Sequence, residues 1–136
     1  MTRPDYLFDT NILSAIVKRP ASPLAQRIAA MDRQSLHTSV IVAGELRYGV
    51  LKRGSPSLAA KIDQLLARVD VLPLNTQVDL HYAAVRVALE KMGQPIDYND
   101  LLIAAHARSL GLTLVTDNLR EFSRVPGLSV ENWLTL

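Results

Sequence analysis

Short apolar stretches of three to five residues, each followed by a capping residue and a helical pattern, limit how this chain can fold. Tyr6–Phe8, Leu36–Thr38, Val69–Leu72 and Leu112–Val115 read as strands, with Leu128–Val130 as a last edge strand. Asp9 or Thr10 can cap a helix over Ile12–Lys18, and Ser22-Pro23 is a cap followed by an N1 proline, opening a helix to about Met31. Ser39 can cap a helix through Arg53, stopped by Gly54 and Pro56. Ser57–Arg68 is amphipathic, with Leu58, Ile62, Leu65 and Leu66 on one side. Asn75 or Thr76 starts a helix to Met92, closed by Gly93, and Asp97–Leu110 forms another, ended by Gly111. Glu121 and Phe122 lie in a short helical turn. This alternation predicts a three-layer α/β/α fold with a short, mainly parallel sheet whose strand carboxyl ends share one rim. No repeat, low-complexity segment or linker interrupts it, so residues 1–136 are expected to form a single domain.

Four acids stand at places that such a fold would bring to that rim. Asp9 closes the first strand and Asp117 the fourth; Glu45 interrupts a mostly apolar helix, and Asp100 opens another. Converging carboxylates repel one another and stay ionised together only with a cation between them, which makes a divalent-metal site the first hypothesis. Each acid also has a plainer structural explanation. Asp9 is a good helix cap, Asp117-Asn118 is turn chemistry, and Asp100 occupies the N3 position behind Asp97, where the helix dipole favours a carboxylate. Glu45 is harder to explain locally. Its helical neighbours are Ile41, Val42, Tyr48 and Gly49, so it is expected to project from an apolar face, with Arg47 and Lys52 poorly directed to pair with it.

Composition removes several competing chemistries. There is no cysteine, hence no disulfide, thiolate ligand or cysteine nucleophile. His37, His81 and His106 are dispersed without a zinc-type spacing, and His106 reads as a packed helix residue. No phosphate-cradling glycine loop or nucleophile-elbow serine occurs. The hard oxygen donors select Mg²⁺ or Mn²⁺ over zinc. A net charge of +2 permits nucleic-acid binding without requiring it, and few aromatics argue against a base-stacking platform. No leader-like segment and no apolar run near the ~18 residues of a membrane span is present, so a soluble, cytoplasmic protein is expected.

The segments around the acids are Leu7-Phe-Asp-Thr-Asn-Ile-Leu-Ser14, Gly44-Glu-Leu-Arg-Tyr-Gly49, Pro95-Ile-Asp-Tyr-Asn-Asp-Leu-Leu-Ile-Ala-Ala105 and Leu114-Val-Thr-Asp-Asn-Leu-Arg-Glu-Phe122, with Pro126-Gly-Leu128 and Glu131-Asn-Trp133 behind them. In this order and spacing they resemble the PIN-domain nucleases, and within them the VapC-type toxins of bacterial toxin–antitoxin pairs, over essentially the whole chain. The resemblance implies that Asp9, Glu45, Asp100 and Asp117 are the acidic metal-binding and catalytic positions, supported by Thr10 or Asn11 and by Thr116. It implies Mg²⁺- or Mn²⁺-dependent hydrolysis of RNA without a covalent intermediate, a homodimer, and inhibition by a VapB-type antitoxin inserted near the acids. Gly93–Ile96 and Ala104–Arg108 are similar to the subgroup that cleaves initiator tRNA. Asp97 falls where that subgroup commonly has a small residue and is given no metal role.

Asp9, Asp100 and Asp117 are expected to contact metal directly, with Glu45 acting through water or orienting the nucleophile. Phosphate contacts need cations beside the acids, and Lys18, Arg19, Arg47, Lys52, Arg53 and Arg120 are the candidates. Ile12–Val17 and Ser57–Leu66 are expected partner-contact surfaces, although core packing explains them equally. Two other readings compete. A haloacid-dehalogenase-like phosphatase would use Asp9 as nucleophile but wants an Asp where Asn11 stands, and a degenerate PIN fold would serve only as a binding scaffold. A receiver-like signalling domain lacks its paired acid and its lysine.

Overall fold

The computed structural model describes residues 5–134 of the 136. Among these residues five strands, β1 (Tyr6–Phe8), β2 (Leu36–Ser39), β3 (Asp70–Leu72), β4 (Thr113–Val115) and β5 (Val130–Glu131), form one sheet in the order β3-β2-β1-β4-β5. Every pairing is parallel, so the sheet is wholly rather than mainly parallel. The reason lies in the connections: three strand-to-strand links carry helices long enough to return the chain to the starting edge, and none is a tight hairpin. Phe8 pairs with Thr38 on one side and with Val115 on the other, placing β1 at the centre.

Among the described residues, seven helices surround the sheet: α1 (Thr10–Lys18), α2 (Pro23–Ala29), α3 (Val40–Arg53), α4 (Pro56–Arg68), α5 (Val78–Lys91), α6 (Tyr98–Leu110) and the short α7 (Leu119–Phe122). α1, α3 and α4 pack on one another, while α5 and α6 form the most extensively packed pair and α6 leans on β2 and β4. Phe8, Ile12, Leu13, Val42, Ile103, Leu114, Val115 and Phe122 are fully buried between these layers. At ~25 cal/mol per Å² of apolar surface removed from water, such side chains are the main stabilising term. Trp133, near the end of the described chain, closes the core edge-on against Tyr6 and Phe8, with the Arg27 guanidinium stacked 3.7 Å from its ring centre.

Element boundaries differ from the sequence reading in instructive ways. Pro56 does not merely end α3; with Ser55 as cap, accepting from the Leu58 amide, it becomes the first residue of α4. α1 begins at Thr10, directly after its Asp9 cap. A 3-10 turn at Arg33–Ser35, capped by Asp32, precedes β2 and had no clear pattern in the sequence. α5 starts at Val78, later than expected, because Asn75 uses its side chain in a turn onto the Gln77 amide. β5 is displaced to Val130–Glu131, since Pro126 and the left-handed Gly127 (φ 73°) extend the turn before it. Gly54 and Gly111, both left-handed, end α3 and α6 as expected.

Candidate active site

Strand order decides where a site belongs. From β1 the chain winds outward to β2 and β3, then crosses back to β4 on the other side. The crevice outside the carboxyl ends of β1 and β4 is therefore the topological switch point. Asp9 follows β1 there and Thr116-Asp117 follows β4, tied together by the Asp9 amide donating to the Val115 carbonyl (2.9 Å). α6 returns to the start of β4, so its first turn, carrying Asp100, reaches the same rim. Glu45 arrives on the second turn of α3, whose start follows β2.

Asp9 is 6% exposed and caps α1: its Oδ1 accepts from the Thr10 amide and its Oδ2 from the Thr116 hydroxyl, both at 2.8 Å. The capping role and a site role thus coexist in one side chain. Burial pushes its carboxyl above the ordinary range, opposed by the Thr116 and Thr10 hydrogen bonds and reinforced by the charges of Glu45 and Asp117. Thr10 also donates its hydroxyl to Glu45 Oε1 at 2.8 Å, and Asn11 donates its side-chain amide to Asp117 Oδ1 at 3.2 Å. Asp100 is pushed up to about 7, chiefly by burial and then by the charges of Glu121, Asp9, Asp97 and Glu45. Asp97 caps α6 by accepting from the Asn99 amide.

Two expectations about this region need correction. Glu45 is only half-buried and does not project from an interior face, since Tyr48 is 64% exposed. The buried stripe of α3 is Val42, Ala43 and Leu46, and Glu45 stands beside it, held by Thr10 rather than by a cation. Arg47 faces away from the acids and pairs with Asp63 at 2.9 Å on the exposed side of α3 and α4. The other cations divide. Lys18 and Arg53 share with Thr10, Ser14, Glu45 and Gly49 a groove of ≈190 Å³ beside the cleft. Arg19 opens instead onto a hollow with Ser22 and Trp133, Lys52 lies 5.8 Å from the Tyr48 ring centre, and Arg120 is exposed on α7. Ile12, Leu13, Ile62, Leu65 and Leu66 are buried in the core, leaving Ser14, Val17 and Leu58 at the groove surface. His106 is a packed residue: fully buried, 2.9 Å from the Ser39 hydroxyl, its ring held toward the neutral form by burial.

Sequence reasoning missed Glu121 and Asn118. Among the charges that hold the Asp100 carboxyl up, that of Glu121 acts most strongly, and the Glu121 carboxylate accepts a hydrogen bond from the Asn118 side-chain amide. The available clue was Phe122, an aromatic anchor fully buried under α7 that fixes where its neighbour points. Among the described residues, no ion pair neutralises any of these five acids, and no three of them close tightly enough to grip one bare ion. An all-carboxylate set of this openness fits a hydrated cation, because Mg²⁺ keeps several waters and binds through one or two carboxylates.

The PIN domain family profile matches residues 6–128. Ribonuclease VapC2 of Rickettsia felis is 38% identical over 130 residues, spanning 94% of this chain and 97% of its own. The chain belongs to the PIN-domain family, among the VapC ribonucleases. The tRNA(fMet)-specific endonuclease VapC of Salmonella typhimurium is 34% identical over 129 residues, again covering 94% and 97%. The fold superposes on the DNA-bound VapBC of Salmonella typhimurium with a TM-score of 0.89 at 33% identity, covering 96% of this chain and 99% of the other. The Rickettsia felis VapBC2 complex with promoter DNA gives 0.87 at 33% identity over 94% and 98%. This VapC chain is therefore a ribonuclease toxin of the toxin–antitoxin type. The phosphatase and scaffold readings give way to it.

Proposed function

We propose that this VapC ribonuclease hydrolyses RNA phosphodiesters with Mg²⁺ or Mn²⁺ held by Asp9, Asp100 and Asp117, and that tRNA is its substrate. The observation carrying the reading is the gathering of unneutralised carboxylates at the β1–β4 switch point, with Asp100 pushed up to about 7. When bound, the cation polarises the phosphoryl oxygen, acidifies a water and stabilises the leaving oxygen. The chain's residues do the positioning. Thr10 and Thr116 fix both oxygens of Asp9, and Asn11 orients Asp117. Glu45, with Oε1 tied to Thr10, uses Oε2 to accept from the attacking water. Lys18 and Arg53, which line the same groove as Glu45, take RNA phosphates that the acids alone would repel.

The tRNA assignment is supported by the Salmonella typhimurium relative's name and by the Gly93–Ile96 and Ala104–Arg108 segments. A VapB-type antitoxin as inhibitor is supported by the VapBC complexes among the structural neighbours. The ≈190 Å³ groove at Glu45 gives it a place to insert a side chain. Leu80 and Val87, exposed one turn apart from the small residues Ala83 and Ala84 on α5, support a homodimer. The residues 1–136 act as one domain in this scheme. Purified protein incubated with total RNA tests it: cleavage should require Mg²⁺ or Mn²⁺, stop with EDTA, and yield new ends in tRNA. Cleavage at the wild-type rate by Asp9→Ala would overturn the metal mechanism, and ends confined to messenger or ribosomal RNA would overturn the substrate.

A further inference from the structure

Aromatic residues are few in this chain, and Tyr98 stands apart from the rest by its position. It is the first residue of α6, two before Asp100 in the same helical turn, and it is 62% exposed. Its ring is nevertheless held. The guanidinium carbon of Arg86, on α5, lies 5.1 Å from the ring centre, within the range of a cation–π contact. Arg86 is itself fixed, because Nη1 donates to the Tyr82 hydroxyl at 3.0 Å and Nε to Glu90 Oε2 at 3.4 Å. Beside these side chains is a hollow of ≈110 Å³, lined by the apolar Leu89, Ile96 and Leu101 and by the polar Arg86, Glu90 and Tyr98.

We propose that this hollow is a nucleobase site, in which one unpaired base of the RNA stacks on Tyr98 and turns its polar edge to Arg86 and Glu90. Its size fits a single ring: cavities of ~150 Å³ admit benzene, so ≈110 Å³ open to solvent seats one ring of a base and leaves the rest outside. Its chemistry fits a base edge, which carries both donors and acceptors. Arg86 Nη2 and Glu90 Oε1 carry no bond among the described residues, so a donor and an acceptor remain to meet it. A phosphate would instead be repelled by Glu90, and a base inside a duplex has no free face to stack. Residues two apart on a helix point ~200° apart, so Tyr98 stands on the flank of α6 away from Asp100, within reach of a nucleotide beside the one that is cut. One exposed ring is no platform for a whole strand, but it serves one base. The inference rests on the reading of the acids as the cleavage site and adds where a neighbouring base is held.

A hairpin RNA spanning the cut site mapped in total RNA tests this, with 2-aminopurine placed at each unpaired position in turn. Bound to the Asp9→Asn protein in Mg²⁺, the fluorophore should be quenched by Tyr98 at one of those positions. Adding Tyr98→Ala should abolish that quench, and Tyr98→Phe, which keeps the ring, should restore it. In the cleaving enzyme, Tyr98→Ala should raise KM for the hairpin about 10-fold, within the ~5- to 150-fold that losing one base–aromatic stack costs, with kcat changed far less. An abasic nucleotide at the quenched position should cost the wild type the same factor, and Tyr98→Ala nothing more. An unchanged quench or KM in Tyr98→Ala, or losses that multiply with the abasic substrate, would overturn the proposal. So would a change in molar mass of Tyr98→Ala by light scattering, which would give this face to a second copy of the chain. If Mg²⁺-dependent cleavage is normal and Tyr98→Ala changes nothing, only the base site fails; if Asp9→Asn still cuts the hairpin at the wild-type rate, the metal reading fails, whatever the quench shows; a wild type that cuts no RNA ends both.

Discussion

Replacing Asp100 by Asn should stabilise the metal-free protein, and only above a definite pH. The folded carboxyl is pushed up to about 7 from an ordinary 3.8 by burial and by Glu121, Asp9, Asp97 and Glu45. Between those two values the folded chain holds a proton that the unfolded chain has released. Stability therefore falls as pH rises through this window, and the full penalty is present above about 7. The gap is worth at most about 4 kcal/mol at ~1.36 kcal/mol per pH unit. Asp100 is partly open to solvent at the cleft, and the α6 dipole favours its charge by ~0.3–1 kcal/mol, so a net gain of about 1–2 kcal/mol is expected for Asp100→Asn at pH 8. With an unfolding entropy of ~2.1 cal/mol/K per residue over 136 residues, that gain raises Tm by about 3–7 °C. Scanning calorimetry in EDTA at pH 4.5, 6 and 8 should show a difference near zero at the lowest pH that grows with each step. Saturating Mg²⁺ should stabilise the wild type and not the variant, closing or reversing the gap at pH 8. A difference independent of pH, or a variant less stable at pH 8 in EDTA, would refute the claim that these acids crowd one another in the fold.

Three further outcomes follow from the same geometry. Asp9→Asn should abolish RNA cleavage while leaving the far-UV circular dichroism unchanged, since Asn is an equally good cap for α1; activity above a hundredth of wild type would count against the mechanism. Thr116→Val should cost ~1–3 kcal/mol in urea denaturation at pH 8, because it removes a donor from a buried carboxylate; the cost should shrink as pH is lowered, because burial raises Asp9 and favours its protonated form. Arg47→Ala should leave cleavage at the wild-type rate and change stability by less than ~1 kcal/mol, because its partner is the exposed Asp63; a large loss of cleavage would return Arg47 to the RNA surface.

The sheet and its helices were legible because each strand is an apolar run closed by cap or turn chemistry. Asp9, Ser22, Ser39 and Asp97 each start the helix that their type predicts, and Gly54 and Gly111 end theirs. Legibility failed where one residue serves two elements, as at Ser55-Pro56, or where a side chain takes another partner than its position suggests. At Asn118, capping propensity would have the side chain bond a free helix amide, and the folded structure turns it to the Glu121 carboxylate three residues on. Glu45 failed in the opposite sense: its apolar neighbours suggested burial, yet helix phase places Tyr48 outside and Glu45 at the rim beside Thr10, 35 residues away in sequence. Helical period alone could not reveal that partner.

The two central threonines show how the fold accommodates a row of like charges without a counterion. Each hydroxyl can donate only one proton, and each spends it on a carboxylate: Thr10 on Glu45 and Thr116 on Asp9. A lysine or arginine in either place would neutralise the acids more effectively, and would then compete with a divalent ion for the same oxygens. Neutral donors stabilise ionised carboxylates by ~1.5–3 kcal/mol each while leaving the net negative charge of the cleft intact. The cations, Lys18 and Arg53, line the groove beside the acids without pairing with them, where a phosphate chain rather than a metal would meet them. Such an arrangement is unfavourable without a cation and favourable with one in the cleft, which is why the stability lost as pH rises to about 7 and the affinity for a divalent ion should rise and fall together across variants of these acids.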